Sequence, residues 1–363
     1  MSRVPDGWTE GVVSDFIDVN PRRHIPKEAV IPFIEMAAVE SDSPFIRTMS
    51  ERLSSSSGAK FKDGDTLFAR ITPCAENGKG AFVQGVGEYA QGSTEFIVLA
   101  PKDGVDDRYV YYLSKSANVH EYAIAKMEGT SGRQRVPNRV FDEICVALPP
   151  LPEPKKIAAI LSSVDEAIAA TQAVIDQTRK VKQGLLQDLL TRGIGHTRFK
   201  QTEIGEIPEE WEVKRLGEIA KSITVGIASS TTHAYCAGGI PIIRNTNIKE
   251  NRIDSGEILT ISEKFDIQYK LKRLKAGDIL TVRTGYPGLS AVVPSEYEGS
   301  QSFTTLITRI DSRDVSPYFV CQYINSPFGM QFIGKVQAGG AQKNCNAGVL
   351  RDMLVPIPPY NEQ

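Results

Sequence analysis

At 363 residues and 39.8 kDa, with 41% hydrophobic and 24% charged residues, the chain is too long for one comfortable core and too ordinary in composition for disorder, so two globular domains are expected. A formal charge of -2 and a pI near 6.2 exclude a globally basic surface and confine any nucleic-acid contact to local patches. Without a membrane-length apolar run, a signal-peptide stretch or a C-x-x-C pair among Cys74, Cys145, Cys236, Cys321 and Cys345, the expectation is a cytoplasmic chain with buried free thiols and no metal site.

In chain order, the first feature is the opening of a repeat. "VPDGWTEGVVSDFI" from Val4 returns as "IPEEWEVKRLGEIA" from Ile207, aligning Trp8 with Trp211. "IPFIEMAAVE" from Ile31 returns as "IPIIRNTNIK" from Ile240, and "FKDGDTLFAR", ending at Arg70, returns as "LKAGDILTVR", ending at Arg283. Alternating apolar stretches at 66–71 and 95–99, and at 279–283 and 304–310, predict strands; 108–116 and 317–325 predict the helices that follow. Each copy is therefore a mixed α and β unit, expected at 1–150 and 194–358.

Late in each copy comes a loop without acidic residues. Gly132, Arg133, Gln134, Arg135, Asn138 and Arg139 populate the first; Gly340, Gln342, Lys343, Asn344 and Asn346 populate the second. Forked donors and amides are what base edges require, and glycines let a backbone come close. The plainer reading is a solvated polar loop. Arg70 and Arg283 are added as candidate DNA contacts, against the plainer view that each satisfies a carboxylate near its Gly-Asp turn. Arg22, Arg23, Lys270, Lys272 and Arg273 read as solvated cations or phosphate contacts.

Between the copies, residues 151–193 read as a spacer. Ile157, Ile160, Val164, Ile168, Thr171, Ile175, Thr178, Val181, Leu185 and Leu189 recur in steps of three and four, which predicts one long helix of roughly 58 Å. Pro154 and Gly193 mark its ends, and Ser162, Ser163 and Glu166 allow a restart after a kink. Such a stripe needs a partner helix from a neighbouring domain, a second copy or another subunit. The second copy's exit, "PIPPYNEQ", reaches only the start of an equivalent helix at 359–363.

Catalytic motifs do not emerge. "IPPY" at 357–360 has Ile357 where an adenine methyltransferase needs a polar residue, "NGKG" at 77–80 lacks the rest of a phosphate loop, and the four histidines are scattered.

The junction "LPPLPEPKKIAAIL", and "KQGLLQDLLTRGI" continuing into "TEIGEIPEEWEVKRLGEIA", resemble the DNA-specificity subunit of type I restriction-modification enzymes over nearly the whole chain. The resemblance implies an α+β fold with two target recognition domains joined by a long central helix. Each domain reads half of a bipartite double-stranded DNA site, and the spacer stripe docks methyltransferase subunits. It implies no catalytic residue and no cofactor in this chain: S-adenosylmethionine belongs to the methyltransferase subunit that methylates adenine, ATP and Mg to the nuclease/translocase subunit that restricts. It also implies that the family's distal helix, antiparallel to the central one, is missing here, leaving self-association through the unpaired spacer open. Two other readings stay open: a non-catalytic protein–protein scaffold with a coiled-coil spacer, and an enzyme whose site assembles only in space.

Overall fold

The computed structural model describes residues 6–55, 57–130, 132–338 and 344–363. Gly340, Gln342 and Lys343 lie outside the described residues. The chain divides into two compact units, Met1–Asp176 and Gln177–Gln363, with the division falling inside the central helix.

The first unit is built on a four-stranded antiparallel sheet in the order Ile17–Val19, Phe96–Pro101, Thr66–Ala69, Gly80–Phe82. Its two middle strands are apolar at almost every position because both faces are covered. Phe68, Ile97 and Leu99 point into one core with Tyr109 and Val110 of the helix Asp107–Lys115, while Leu67, Phe96 and Val98 point into a second core with Ile34 and Phe61. This is the period-two alternation of a strand, hidden by burial on both sides. A second sheet, Ser50–Leu53, Val30–Ile34, Ala90–Gly92, Ala59–Phe61, includes one parallel pairing, Phe33 with Gln91. The strand Thr9–Val12 pairs with Cys145–Leu148, so the unit's beginning and end close on each other.

The second unit repeats this plan, with its sheet running Ala220–Val225, Leu306–Ile310, Ile279–Thr281, Ser290–Val292. Ile242 pairs with Gln301 in the counterpart parallel pairing, and Glu212–Arg215 closes on Leu354–Ile357. The predicted helix at 317–325 is found as Pro317–Asn325.

In both units the Gly-Asp turn holds more than a turn. Asp65 and Asp278 are each 1% exposed, and each accepts a backbone N–H from three residues earlier, Lys62 and Lys275, at 2.8 Å. Each also anchors an arginine from another strand or loop, Arg23 at 2.5 Å and Arg309 at 2.7 and 2.6 Å. Burial pushes the Asp65 carboxyl above its ordinary value despite Arg23 and the Lys62 N–H.

The central helix, Glu153–Thr191, is continuous. The helix is the single long one expected, and the restart that Ser162 and Ser163 allowed does not form: Ser162 Oγ is hydrogen-bonded to the Tyr112 hydroxyl at 3.2 Å, and Ser163 Oγ donates back to the Ile160 carbonyl at 2.7 Å. Tyr112 also donates to Asp165 at 2.6 Å, and Ala158 is buried in the first unit's core. Near the helix's other end Leu186 and Leu190 join the second unit's core. Gly193 follows at φ 63°, where a side chain would collide with Trp211 and Glu362.

Three sequence expectations are corrected. The helix contains an 18-residue window of mean hydropathy 1.3, so by length and composition alone it could cross a membrane; its Ala and Ile content raises the average although the apolar residues form a stripe. Residues 359–363 form a turn instead of a helix start, because the Glu362 carboxylate accepts from the Ile194 N–H, His196 Nε2 and Trp211 Nε1 at 2.9 to 3.0 Å. Of the five free cysteines only Cys321 and Cys345 are buried; Cys145 and Cys236 are exposed.

Candidate nucleic-acid interface

In the first unit the polar loop begins as a hairpin, Glu128–Thr130 paired with Arg133–Arg135. Gly129 is obligatory within it: at φ 130° an added Cβ would lie 2.6 Å from the Arg133 carbonyl. The hairpin is tied to the core sheet. Thr72 N–H donates to the Gln134 carbonyl at 3.0 Å, Gln134 N–H donates to Thr72 Oγ1 at 3.2 Å, and Val136 N–H donates to the Arg70 carbonyl at 2.8 Å.

Its cations divide by environment. Arg135 donates through Nε and Nη2 to both oxygens of Glu95, at 2.9 and 2.7 Å, and Arg139 pairs with Glu128. The Arg135 hydrogen bonds hold the Glu95 carboxyl below its ordinary range against the opposing effect of burial, with Arg70 and Arg133 adding to the pull. Gly132, Arg133 and Asn138 are exposed, and Gln134 is half-buried.

The second unit reproduces the attachment. Cys345 N–H donates to the Arg283 carbonyl at 3.0 Å, the counterpart of Val136 on Arg70. Arg70 and Arg283 are half-buried, and the Nε of each is buried without a hydrogen-bond partner among the described residues. Neither answers a Gly-Asp carboxylate; Arg23 and Arg309 do that. Arg273 likewise pairs with Asp266, and Lys272 donates to the Gly226 carbonyl at 2.9 Å. Asn344 is half-buried, whereas Asn346 Oδ1 caps the helix Ala347–Asp352, accepting from Gly348 and Val349 N–H at 2.8 and 3.1 Å.

Several neighbours escaped the sequence reading. Asn245 donates from Nδ2 to Thr284 Oγ1 at 3.2 Å, beside Arg283. Tyr286 stands 80% exposed between Gly285 and Gly288, both at positive φ; the "TGYPG" turn was its only signal. Among the described residues no group of His, Cys, Asp and Glu is arranged to hold a metal.

Residues 5–178 and 208–363 match the type I restriction modification DNA specificity domain. The chain belongs to this family. The MjaVIII specificity subunit of Methanocaldococcus jannaschii is 28% identical over 282 residues, covering 75% of this chain and 64% of the relative. The putative MjaX specificity subunit of the same organism is 27% identical, covering 83% and 69%. The chain thus spans about two thirds of the curated relatives it matches. The S subunit from M. genitalium superposes over 99% of this chain and 87% of its own at 14% identity and a TM-score of 0.57. A chain solved in work on complex assembly and conformational transition of the type I R-M system covers 100% and 88% at 18% identity and a TM-score of 0.58. Both show the specificity-subunit fold.

Proposed function

We propose that this chain is the specificity subunit of a type I restriction-modification complex, reading a bipartite DNA site with one half-site per unit. The observation that carries the reading is the repeated attachment of a polar loop to a half-buried arginine, Val136 on Arg70 and Cys345 on Arg283, within a family whose domain is a DNA specificity domain. Gln134, Arg133 and Asn138 in the first unit, and Asn344 beside Arg283 in the second, are the side chains left available to base edges. Gly132, and Gly340, Gln342 and Lys343 of the second loop, belong to the same proposal. Arg135, Arg139 and Asn346 are proposed to shape the loops, since their side chains are engaged by Glu95, Glu128 and the helix cap.

The stripe on the central helix is the proposed dock for methyltransferase subunits. Ile160, Val164, Ile168, Val181, Leu185 and Leu189 are 46 to 65% exposed, an apolar face that a subunit helix would cover. Adenine methylation with S-adenosylmethionine, and restriction with ATP and Mg, are assigned to the partner subunits. The test is capture: full-length chain mixed with the methyltransferase subunit should form a complex that retains duplex DNA. A chain that forms only its own dimer would give the stripe to self-association.

A further inference from the structure

A cleft of about 570 Å³ opens in the first unit beside the hairpin, and its lining includes Arg22, Arg23, Lys60 and Arg70 but no carboxylate. One wall is rigid: Asn20, at φ 51°, donates its N–H to the Val98 carbonyl at 2.7 Å and accepts the Val98 N–H on Oδ1 at 2.8 Å. Another is Gly58, at φ 110°, where a Cβ would lie 2.8 Å from the Gly92 carbonyl. Arg23 is balanced by Asp65 at 2.5 Å, and Glu95, on which Arg70 also acts, is already gripped by Arg135. Among the described residues Arg22 and Lys60 therefore face the cleft without an ion-pair partner, and Arg70 shares the charge of Glu95 with Arg135. The Nε atoms of both Arg23 and Arg70 are buried without hydrogen-bond partners among the described residues.

We infer that this cleft is an anion site that holds a backbone phosphate of the DNA, and that among the described residues the second unit has no equally uncommitted set of cations at the corresponding place. Three half-buried or exposed cations converging on a rigid, acid-free hollow suit a phosphate group, which accepts several charge-assisted hydrogen bonds at once. In the second unit the repeat places Arg273 at the position of Lys60, where Asp266 neutralises it. No basic residue lies between Ser222 and Thr232, the stretch that corresponds to Arg22 and Arg23; Arg309 takes the place of Arg23 but is bound to Asp278, Lys272 reaches that stretch but donates to the Gly226 carbonyl, and Arg283 matches Arg70. The two half-sites are thus gripped unequally, with the first unit supplying more of the salt-sensitive attraction.

The inference rests on the DNA-reading proposal for the source of the phosphate, and the experiment separates the two. Duplex binding by the full chain with its methyltransferase subunit is measured across a KCl series for wild type, the Arg22→Gln/Lys60→Gln double variant and Lys60→Arg, with matched thermal melts. Inorganic phosphate is titrated calorimetrically into each chain. Expected are a log–log salt slope lower by roughly 1 to 2 in the double variant, near-wild-type behaviour in Lys60→Arg, an unchanged methylated motif, and loss of phosphate binding. An unchanged slope, or an altered motif, overturns the assignment to backbone phosphate. Phosphate binding lost in the double variant while wild type binds no duplex would sustain an anion site for free phosphate and sink DNA reading; no binding of either ligand by wild type would overturn both.

Discussion

Arg309 holds the Asp278 carboxylate through both Nε and Nη2, and the same carboxylate accepts the Lys275 N–H. Asp278 is 1% exposed and Arg309 23%, so removing one partner strands charge in a poorly hydrated place. Asp278→Asn should cost about 2–4 kcal/mol, read as a lower melting temperature. Asp311→Asn, breaking the exposed Lys221 pair, should leave the melt unchanged.

Asn346 offers a test of cap against reader. Asn346→Ala removes the acceptor for two helix N–H groups and should cost about 1 kcal/mol of stability while leaving the methylated motif unaltered. Asn346→Asp should restore the stability. A changed motif without a stability loss would make Asn346 a base contact.

The hairpin of the first unit should control one half-site only. Gln134→Ala should relax discrimination there by roughly ten- to a hundredfold, the range of a lost base contact, Arg135→Ala should weaken the same half by releasing the hairpin from Glu95, and both should leave the other half intact. Sequencing of methylated genomic sites reads this directly; equal weakening of both halves would rule out one reader per unit.

The Glu95–Arg135 pair predicts a pH dependence. The Glu95 carboxyl titrates below its ordinary 4.5 when folded, chiefly through the Arg135 hydrogen bonds. Its contribution to stability is therefore full above pH 4.5 and lost as pH falls through the lower folded value. The melting difference between wild type and Glu95→Gln should be constant above pH 4.5 and shrink below it. A difference that grows in acid would refute the pairing.

Exposed positions on the central helix should matter for assembly and not for folding. Val164→Asp and Leu185→Asp, at 52 and 56% exposure, should abolish capture of the methyltransferase subunit while the melt stays at the wild-type temperature. Retained capture would move the dock off the stripe.

The repeat and the helices at 107–115, 153–191 and 317–325 were legible because periodicity and self-similarity are properties of the sequence itself. The partners of individual side chains were not. Glu95 lies 40 residues from Arg135, and Asp278 lies 31 from Arg309; only the sheet order brings them together. The acid-free cleft was likewise invisible, since Arg22, Lys60 and Arg70 come from separate segments. Ser162 and Ser163 left a restart open that the sequence could not decide; the helix runs through them, with Ser162 bonded to Tyr112.

The measurement that tests the central claim most directly is a methylation map of genomic DNA from cells expressing this chain with its methyltransferase subunit, set against cells without the chain. Adenine methylation at one split motif, with its two halves separately altered by variants of the two units, is the predicted result. Methylation that is absent, or identical with and without the chain, would contradict it.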